Sequence, residues 1–210
     1  MKFYLVFKRI LDFVFSLILL VVVMPVMILA AITIKIEDPK GPVLFMQQRP
    51  GQNAKIFKVC KFRTMRIETE KNGISLTDME RITRIGSLLR KTSIDELPQL
   101  INILRGEMSF IGPRPLLVQY LEHYSLEQMR RHEVTPGISG WAQVNGRNTI
   151  SWEEKFKHDV WYVDNISFFL DLKIIWLTIC NVLRRKHINH SQGSTMPIFS
   201  KEQKNIRETR

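Results

Sequence analysis

The sequence predicts an α+β fold in which helices dominate, held to a membrane by its first 35 residues. Three observations predict it: an uncharged apolar run over residues 13–34, two β-prone runs around Pro50-Gly51-Gln52-Asn53, and a series of capped, helically periodic stretches from Thr77 onward. The apolar run exceeds the roughly 18 residues that suggest a membrane helix. A few strands beside many helices is the pattern of an α+β domain. At 210 residues with a net charge of +11, the chain has room for one globular domain and an anchor. Its basic balance favours an anionic partner, and nucleic acid, anionic lipid and phosphorylated small molecules all satisfy that condition.

Only Ser16 and Thr33 bring polar side chains into the run. It is longer than the roughly 7–15 residues of a signal-peptide core, and no Ala-x-Ala pattern closes it, so the segment is expected to stay attached. Lys2, Lys8 and Arg9 precede it and Lys35 and Lys40 follow, so charge bias leaves orientation open. Pro25 in the middle lacks an N–H and kinks a helix. A simple span and a bent helix returning to its own face both fit; the length of the run alone favours the span.

Residues 43–48 and 55–65 read as the arms of a small β-hairpin. Residues 66–75 are polar and aperiodic, as in an exposed loop. Thr77-Asp78-Met79-Glu80 is a capping box, and Ile82, Ile85, Leu88 and Leu89 extend it into one expected helix over 78–90. Ser93 is expected to cap the next helix, which carries Leu97, Leu100, Ile101 and Leu104, tolerates Pro98 in its first turn and stops at Gly106. Glu96 would then reach back to the Ser93 N–H. Residues 106–115 and 135–148 are too rich in Gly and Pro for helix and read as ordered loops suited to binding. Ser151-Trp152-Glu153-Glu154 opens a capped helix that carries His158, Asp159, Trp161 and Tyr162. Residues 167–185 form an apolar helix that Asp171 and Lys173 make too polar to span easily. It suits either the headgroup layer or a buried core. The boundaries that result are an anchor over 1–35, a catalytic domain over 36–186 and a polar tail over 187–210, expected to be mobile.

Cys60 and Cys180 form no Cys-x-x-Cys pair and read as reduced thiols, and the five histidines lack ligand spacing, which argues against zinc. The chemistry gathers at Asp95 and Glu96. Two adjacent acids repel each other, and here they are kept amid Lys61, Arg63, Arg84, Arg90, Lys91, Arg105 and Arg114. A helix start is a seat for phosphate. A carboxylate beside a diphosphate calls for Mg²⁺ or basic side chains between them. Asp95 is therefore a candidate metal ligand or a candidate nucleophile toward phosphorus. Arg114, stiffened by Pro113 and Pro115, is suited to fork onto phosphate oxygens. A membrane-tethered basic protein without chemistry would explain the charge but not the acid pair.

Four blocks, Lys61-Phe62-Arg63-Thr64-Met65, Asp95-Glu96-Leu97-Pro98-Gln99-Leu100, Met108-Ser109-Phe110-Ile111-Gly112-Pro113-Arg114-Pro115 and Pro136-Gly137-Ile138-Ser139-Gly140-Trp141-Ala142-Gln143-Val144-Asn145-Gly146-Arg147, stand in an order that resembles the bacterial sugar transferases, the monotopic phosphoglycosyl transferases. The resemblance implies a re-entrant membrane helix bent at Pro25, both ends on the cytoplasmic face of the bacterial inner membrane, and amphipathic helices at the interface. Met24 departs from the small polar residue that often precedes that proline. It further implies transfer of a sugar 1-phosphate from a UDP-sugar to undecaprenyl phosphate, with Asp95 as nucleophile and Mg²⁺ ligand and Glu96 as its partner. Lys61, Arg63, Arg90, Arg114, Arg147 and Asp159 would contact substrate and its phosphates. Membrane lipids are implied partners, nucleic acid is not, and a homodimer is compatible. The ending Val160-Trp161-Tyr162-Val163-Asp164-Asn165-Ile166-Ser167 looks most like the small bacillosamine-phosphate transferases, with glucose- and galactose-phosphate transferases sharing the same blocks.

Overall fold

The computed structural model describes residues 2–71, 73–146, 150–183 and 199. Arg147, residues 184–186 and, Phe199 aside, the expected tail over 187–210 lie outside the described residues. The chain forms two compact units, one of residues 1–12, 48–57 and 106–210 and one of residues 13–47 and 58–105.

The first element is helix α1, Lys2–Glu37, assigned as helix straight through Pro25. Its apolar side chains stand outward: Phe3, Ile10, Phe15, Val21, Val22 and Leu29 are all exposed, and the helix is long and apolar enough to cross a membrane. Strands β1 (Leu44–Pro50) and β2 (Ile56–Phe62) pair as the expected hairpin. The loop expected over 66–75 contains a two-residue ladder, β3 (Glu70–Lys71) with β4 (Ile74–Ser75).

The second unit departs from expectation at two places. The single helix expected over 78–90 is two, α2 (Asp78–Arg81) and α3 (Arg84–Thr92). Thr77 caps the first with the expected capping box, but Thr83 is a second N-cap, its hydroxyl accepting from the Gly86 N–H at 2.8 Å. Between them Ile82 turns extended and bridges to Met65. Gly86 permits this packing, since an added Cβ would overlap the Thr64 carbonyl oxygen. The second departure is Ser93, which caps nothing with its side chain. It lies in the left-handed region at φ 58° and ends α3, after which Ile94–Glu96 form a single 3₁₀ turn leading to α4, Gln99–Arg105. The short turn removes the helix start that Ser93 was expected to cap, so Glu96 seeks its partner elsewhere.

The core of this unit joins the far end of α1 to the turn. Ala30 and Ile34 pack with Phe62 and Leu89, and Met27, Ile85 and Ile94 lean on the cluster. Glu37, at the last position of α1, accepts hydrogen bonds from the Arg84 and Ile85 N–H groups at 2.7 and 2.8 Å. The C-terminus of one helix thereby supplies the carboxylate that the N-terminus of another favours.

In the first unit, both Gly- and Pro-rich segments hold short strands. Strand β5 (Ser109–Ile111) and strand β6 (Gly137–Ser139) run parallel, Ser109 opposite Gly137 and Ile111 opposite Ser139. A Cβ at Gly137 would collide with the Gly112 backbone, so glycine there follows from close approach. Helices α5 (Leu126–Met129) and α6 (Trp141–Val144) are single turns; α7 (Trp152–Asn165) begins with the expected Ser151 capping box, and α8 (Phe168–Leu183) follows. Ile111, Val134, Tyr162, Val163, Leu170 and Ile174 form the core. Asp171, which made this last helix look too polar to span, is buried and serves three donors: Tyr4 and Lys8 at 2.6 Å and Tyr162 at 2.7 Å. The opposite face of α8 exposes Phe169, Leu172, Trp176 and Ile179. Both cysteines are free thiols.

His132 is buried in this unit. Its Nδ1–H donates to the Gly51 carbonyl at 3.2 Å, and Nε2 has no partner among the described residues. Burial, then the neighbouring Arg131 charge, lowers its pKa from 6.5 to about 4. A base whose folded pKa is depressed binds fewer protons folded than unfolded, so its stabilisation is present above pH 6.5 and is lost as pH falls toward 4. We predict that unfolding free energy in detergent falls by about 3 kcal/mol over that window, and that His132→Gln flattens the slope. A melting profile from pH 7.5 to 4.5 that is parallel for both proteins would refute it.

Candidate functional site

The acid pair lies on the 3₁₀ turn between α3 and α4, with Asp95 and Glu96 both half-buried. The αL conformation of Ser93 costs about 1–2 kcal/mol in a residue with a Cβ, an expense seen where surrounding structure holds a functional turn in place. Glu96 meets Lys61 rather than the backbone of Ser93, with Lys61 Nζ donating to Oε1 at 2.6 Å. Lys61 is on β2, so this ion pair fixes strand to turn.

Its geometry is set by Asn102. This side chain is fully buried on α4, where it accepts from the Cys60 N–H at 2.9 Å and donates to the Lys58 carbonyl at 2.8 Å. Both bonds grip β2 directly before Lys61. Arg90, exposed in the last turn of α3, donates through Nε to the Thr64 hydroxyl at 2.8 Å. Lys61, Arg90, Asp95 and Glu96 thus share one unit, and every one of these contacts lies inside it.

Arg63 belongs to the same unit but has another occupation. Its guanidinium is paired with the Asp38 carboxylate and donates to the Asp38 carbonyl at 2.7 Å, leaving the side chain 7% exposed. Burial in an ion pair, rather than reach toward a soluble ligand, is what this position supplies.

Arg114 and Asp159 belong to the other unit. Arg114 is half-buried and reaches the Ile138 carbonyl at 3.4 Å. The residue is held by its neighbours: Pro113 O accepts from the Gly137 N–H at 3.1 Å, and Arg114 O accepts from Arg131 Nη2 at 2.8 Å. Asp159 is 1% exposed and bonds Arg131 Nε and Nη2 at 3.1 and 2.7 Å. Desolvation works against charge on both members: on Arg131 the adjoining carboxylate outweighs it and raises the pKa, whereas on Asp159 burial outweighs the guanidinium and raises the carboxyl as well. A role for Asp159 is therefore to fix Arg131. Among the described residues, no group of three or more His, Cys, Asp or Glu is arranged to hold a metal by itself. A Mg²⁺ ion at this turn would need oxygen ligands from its substrate, which is the usual way that ion is bound beside phosphate.

Asn102, Glu37 and Arg131 are missing from the residues singled out by sequence. Asn102 carries a signal, being a poor helix former set among Leu100, Ile101, Ile103 and Leu104. Glu37 carries another, because an acid at the C-terminus of a helix opposes the helix dipole unless it serves a second element.

A family model described as bacterial sugar transferase matches residues 3–185. The uncharacterized sugar transferase EpsL of Bacillus subtilis is 54% identical over 172 residues, covering 82% of this chain and 84% of that protein. The UDP-glucose:undecaprenyl-phosphate glucose-1-phosphate transferase of Klebsiella pneumoniae is 44% identical over 184 residues, 83% of this chain and 39% of the relative. The UDP-N-acetylgalactosamine-undecaprenyl-phosphate N-acetylgalactosaminephosphotransferase of Aeromonas hydrophila is 40% identical over 185 residues, 84% of this chain and 43% of the relative. The chain spans most of EpsL and less than half of the two relatives named for their substrates.

The Asn102 brace generates a prediction. Asn102→Ala strands a buried N–H and a part-buried carbonyl, and its expected cost is about 2–4 kcal/mol of unfolding free energy. Urea unfolding in detergent checks it; a loss below about 0.5 kcal/mol would mean that water replaces both bonds.

Proposed function

Because the chain belongs to the bacterial sugar transferase family, we propose that it transfers a sugar 1-phosphate from a UDP-sugar to undecaprenyl phosphate and releases UMP, the first membrane step of a glycoconjugate pathway. The observation that carries this reading is the turn at 93–96, where Asp95 stands beside a Glu96 paired with Lys61 and two positions after a strained Ser93. Both carboxylates are carried on one short turn, and the Glu96–Lys61 ion pair ties that turn to β2.

In the first step a carboxylate oxygen of Asp95 attacks the phosphorus that bears the sugar. The P–O bond to the uridylyl phosphate breaks, and UMP leaves with the bonding pair. In the second, a phosphate oxygen of the polyprenyl acceptor attacks the same phosphorus and the Asp95 carboxylate departs unchanged, a course that gives ping-pong kinetics. Lys61, Arg90, Arg114 and Arg147 would neutralise phosphate oxygens. Mg²⁺, held by Asp95 together with substrate oxygens and water, would supply further neutralisation of the diphosphate.

The acceptor's phosphate cannot leave the headgroup layer, so the attacking group must work close to that plane. The outward apolar side chains of α1 support a membrane setting, and the packing of Ala30 and Ile34 under Leu89 and Ile94 links the anchor to the reacting turn. A re-entrant course for α1, bent at Pro25 with both ends on the cytoplasmic face of the inner membrane, belongs to the same proposal. It would set Arg9 and Lys35 in one anionic headgroup layer. As donor, the bacillosamine-type sugar drawn from the motif pattern stands beside UDP-glucose and UDP-N-acetylgalactosamine, and the names of the two relatives favour the latter pair.

A panel of UDP-sugars assayed for UMP release, with and without undecaprenyl phosphate, tests reaction, donor and step order together. Donor alone should give less than one UMP per enzyme and a sugar phosphate on Asp95 detectable by mass spectrometry. Asp95→Asn should lower turnover by roughly three orders of magnitude or more with the fold intact. Glu96→Gln should cost roughly 10- to 100-fold. Near-normal turnover in Asp95→Asn would exclude that side chain as the attacking group.

A further inference from the structure

Phe199 lies 16 residues beyond the end of α8 at Leu183, yet it returns to the first unit and packs into a box of aromatic rings. Its ring centroid is 5.0 Å from Phe156, 5.7 Å from Tyr120 and from Trp152, and 5.9 Å from Tyr124. The walls also contact one another, Tyr120 with Trp152 at 5.5 Å and Tyr124 with Phe156 at 5.3 Å. The tail over 187–210, expected to be polar, thus contains an aromatic contact at Phe199.

What the box holds is Arg131. The Arg131 guanidinium carbon lies 5.8 Å from the Tyr124 ring centre and 5.7 Å from that of Phe156. Both rings are among those that Phe199 contacts. The same guanidinium donates to the Arg114 carbonyl. Arg114 is flanked by Pro113 and Pro115, which have no N–H to donate, so the segment relies on carbonyl acceptors for its attachments. The Arg131 bond is one of them and the Gly137 N–H to Pro113 O bond is another.

We propose that Phe199 is a positioning residue: by closing the aromatic box it holds Tyr124 and Phe156 against Arg131, and through Arg131 it fixes the backbone of Arg114. The inference rests on the proposed role of Arg114 in holding the donor's phosphate. An arginine that binds phosphate equally in ground and transition states changes KM and leaves kcat alone when it is loosened. Phe199 acts on the donor side only.

The test compares full-length wild type, Phe199→Ala and Phe199→Tyr in the same detergent, using whichever UDP-sugar the donor panel shows to be turned over. Phe199→Ala should raise the donor KM about tenfold, with kcat within about twofold and the KM for undecaprenyl phosphate unchanged. Phe199→Tyr, which keeps the ring, should restore most of the loss. An unchanged donor KM overturns the proposal. So does a fall in kcat together with a rise in both KM values that tracks a lowered melting temperature, since that pattern is general loss of structure. Hydrogen–deuterium exchange supplies a readout independent of turnover. Phe199→Ala should speed exchange in the segments containing Arg114 and Arg131 at unchanged melting temperature, and unchanged exchange there overturns the proposal. If wild type turns over no UDP-sugar, the functional reading falls by itself, and the exchange result still decides whether Phe199 positions Arg114.

Discussion

The constraint on which the second unit depends is the attachment of the end of a long apolar helix to the turn that carries the acid pair. Two kinds of force make it. Ala30 and Ile34 bury apolar surface against Leu89 and Phe62, with Ile94 of the turn itself leaning on the cluster. Glu37 then closes the N-terminus of α3 with two backbone hydrogen bonds. Apolar contact is tolerant of sliding, whereas a carboxylate shared by two adjacent N–H groups fixes rotation and height together. In the proposed reaction on a lipid-borne phosphate, height is the coordinate that matters most, and this attachment would set it through the fold rather than through a flexible tether.

Charge in this chain does structural work before any ligand arrives. A net charge of +11 reads as a surface waiting for an anion. Yet Arg63 is buried with Asp38, Arg131 with Asp159 and Lys8 with Asp171. Removing one member of such a pair leaves a buried charge without compensation, a larger penalty than the pair's own net stabilisation. Arginine is the partner in two of the three, as its planar fork and weak hydration favour. Counting basic residues in the motif blocks therefore overstates the number available to phosphate, and the geometry separates Arg63 from Lys61 although only Phe62 stands between them.

What the sequence disclosed followed from local rules. The hairpin, the capping boxes at Thr77 and Ser151, the α7 and α8 helices and the long apolar helix all depend on residues within a few positions of each other, and the acid pair was conspicuous because its neighbours are basic. What stayed hidden depended on distant partners. Ser93 has the composition of an N-cap, but Leu89 and Ile94 must both face the α1 cluster, and a left-handed residue between them turns the chain enough to allow it. Strands β5 and β6 were masked because glycines and prolines, which weaken strands in general, are required here by a backbone approach too close for a Cβ. Asn102 matters only because β2 passes beside it.

Asp171 illustrates how a residue that seems to exclude one setting defines another. A charged side chain within an apolar helix argues against a membrane span. In α8 it faces inward with Leu170 and Ile174, where Lys8, Tyr4 and Tyr162 satisfy it. Helical periodicity then dictates the outer face. Phe169, Leu172, Trp176 and Ile179 fall on it, and all four are exposed. A helix with a satisfied charge inside and aromatic and aliphatic groups outside is inverted relative to a helix facing water. Lys173 follows Leu172 and lays its ammonium over the Trp141 ring, 5.3 Å from the ring centre. In the proposed membrane setting, the buried carboxylate therefore selects which side of α8 meets lipid, and the polar residue that forbids crossing the bilayer is the one that orients the helix upon it.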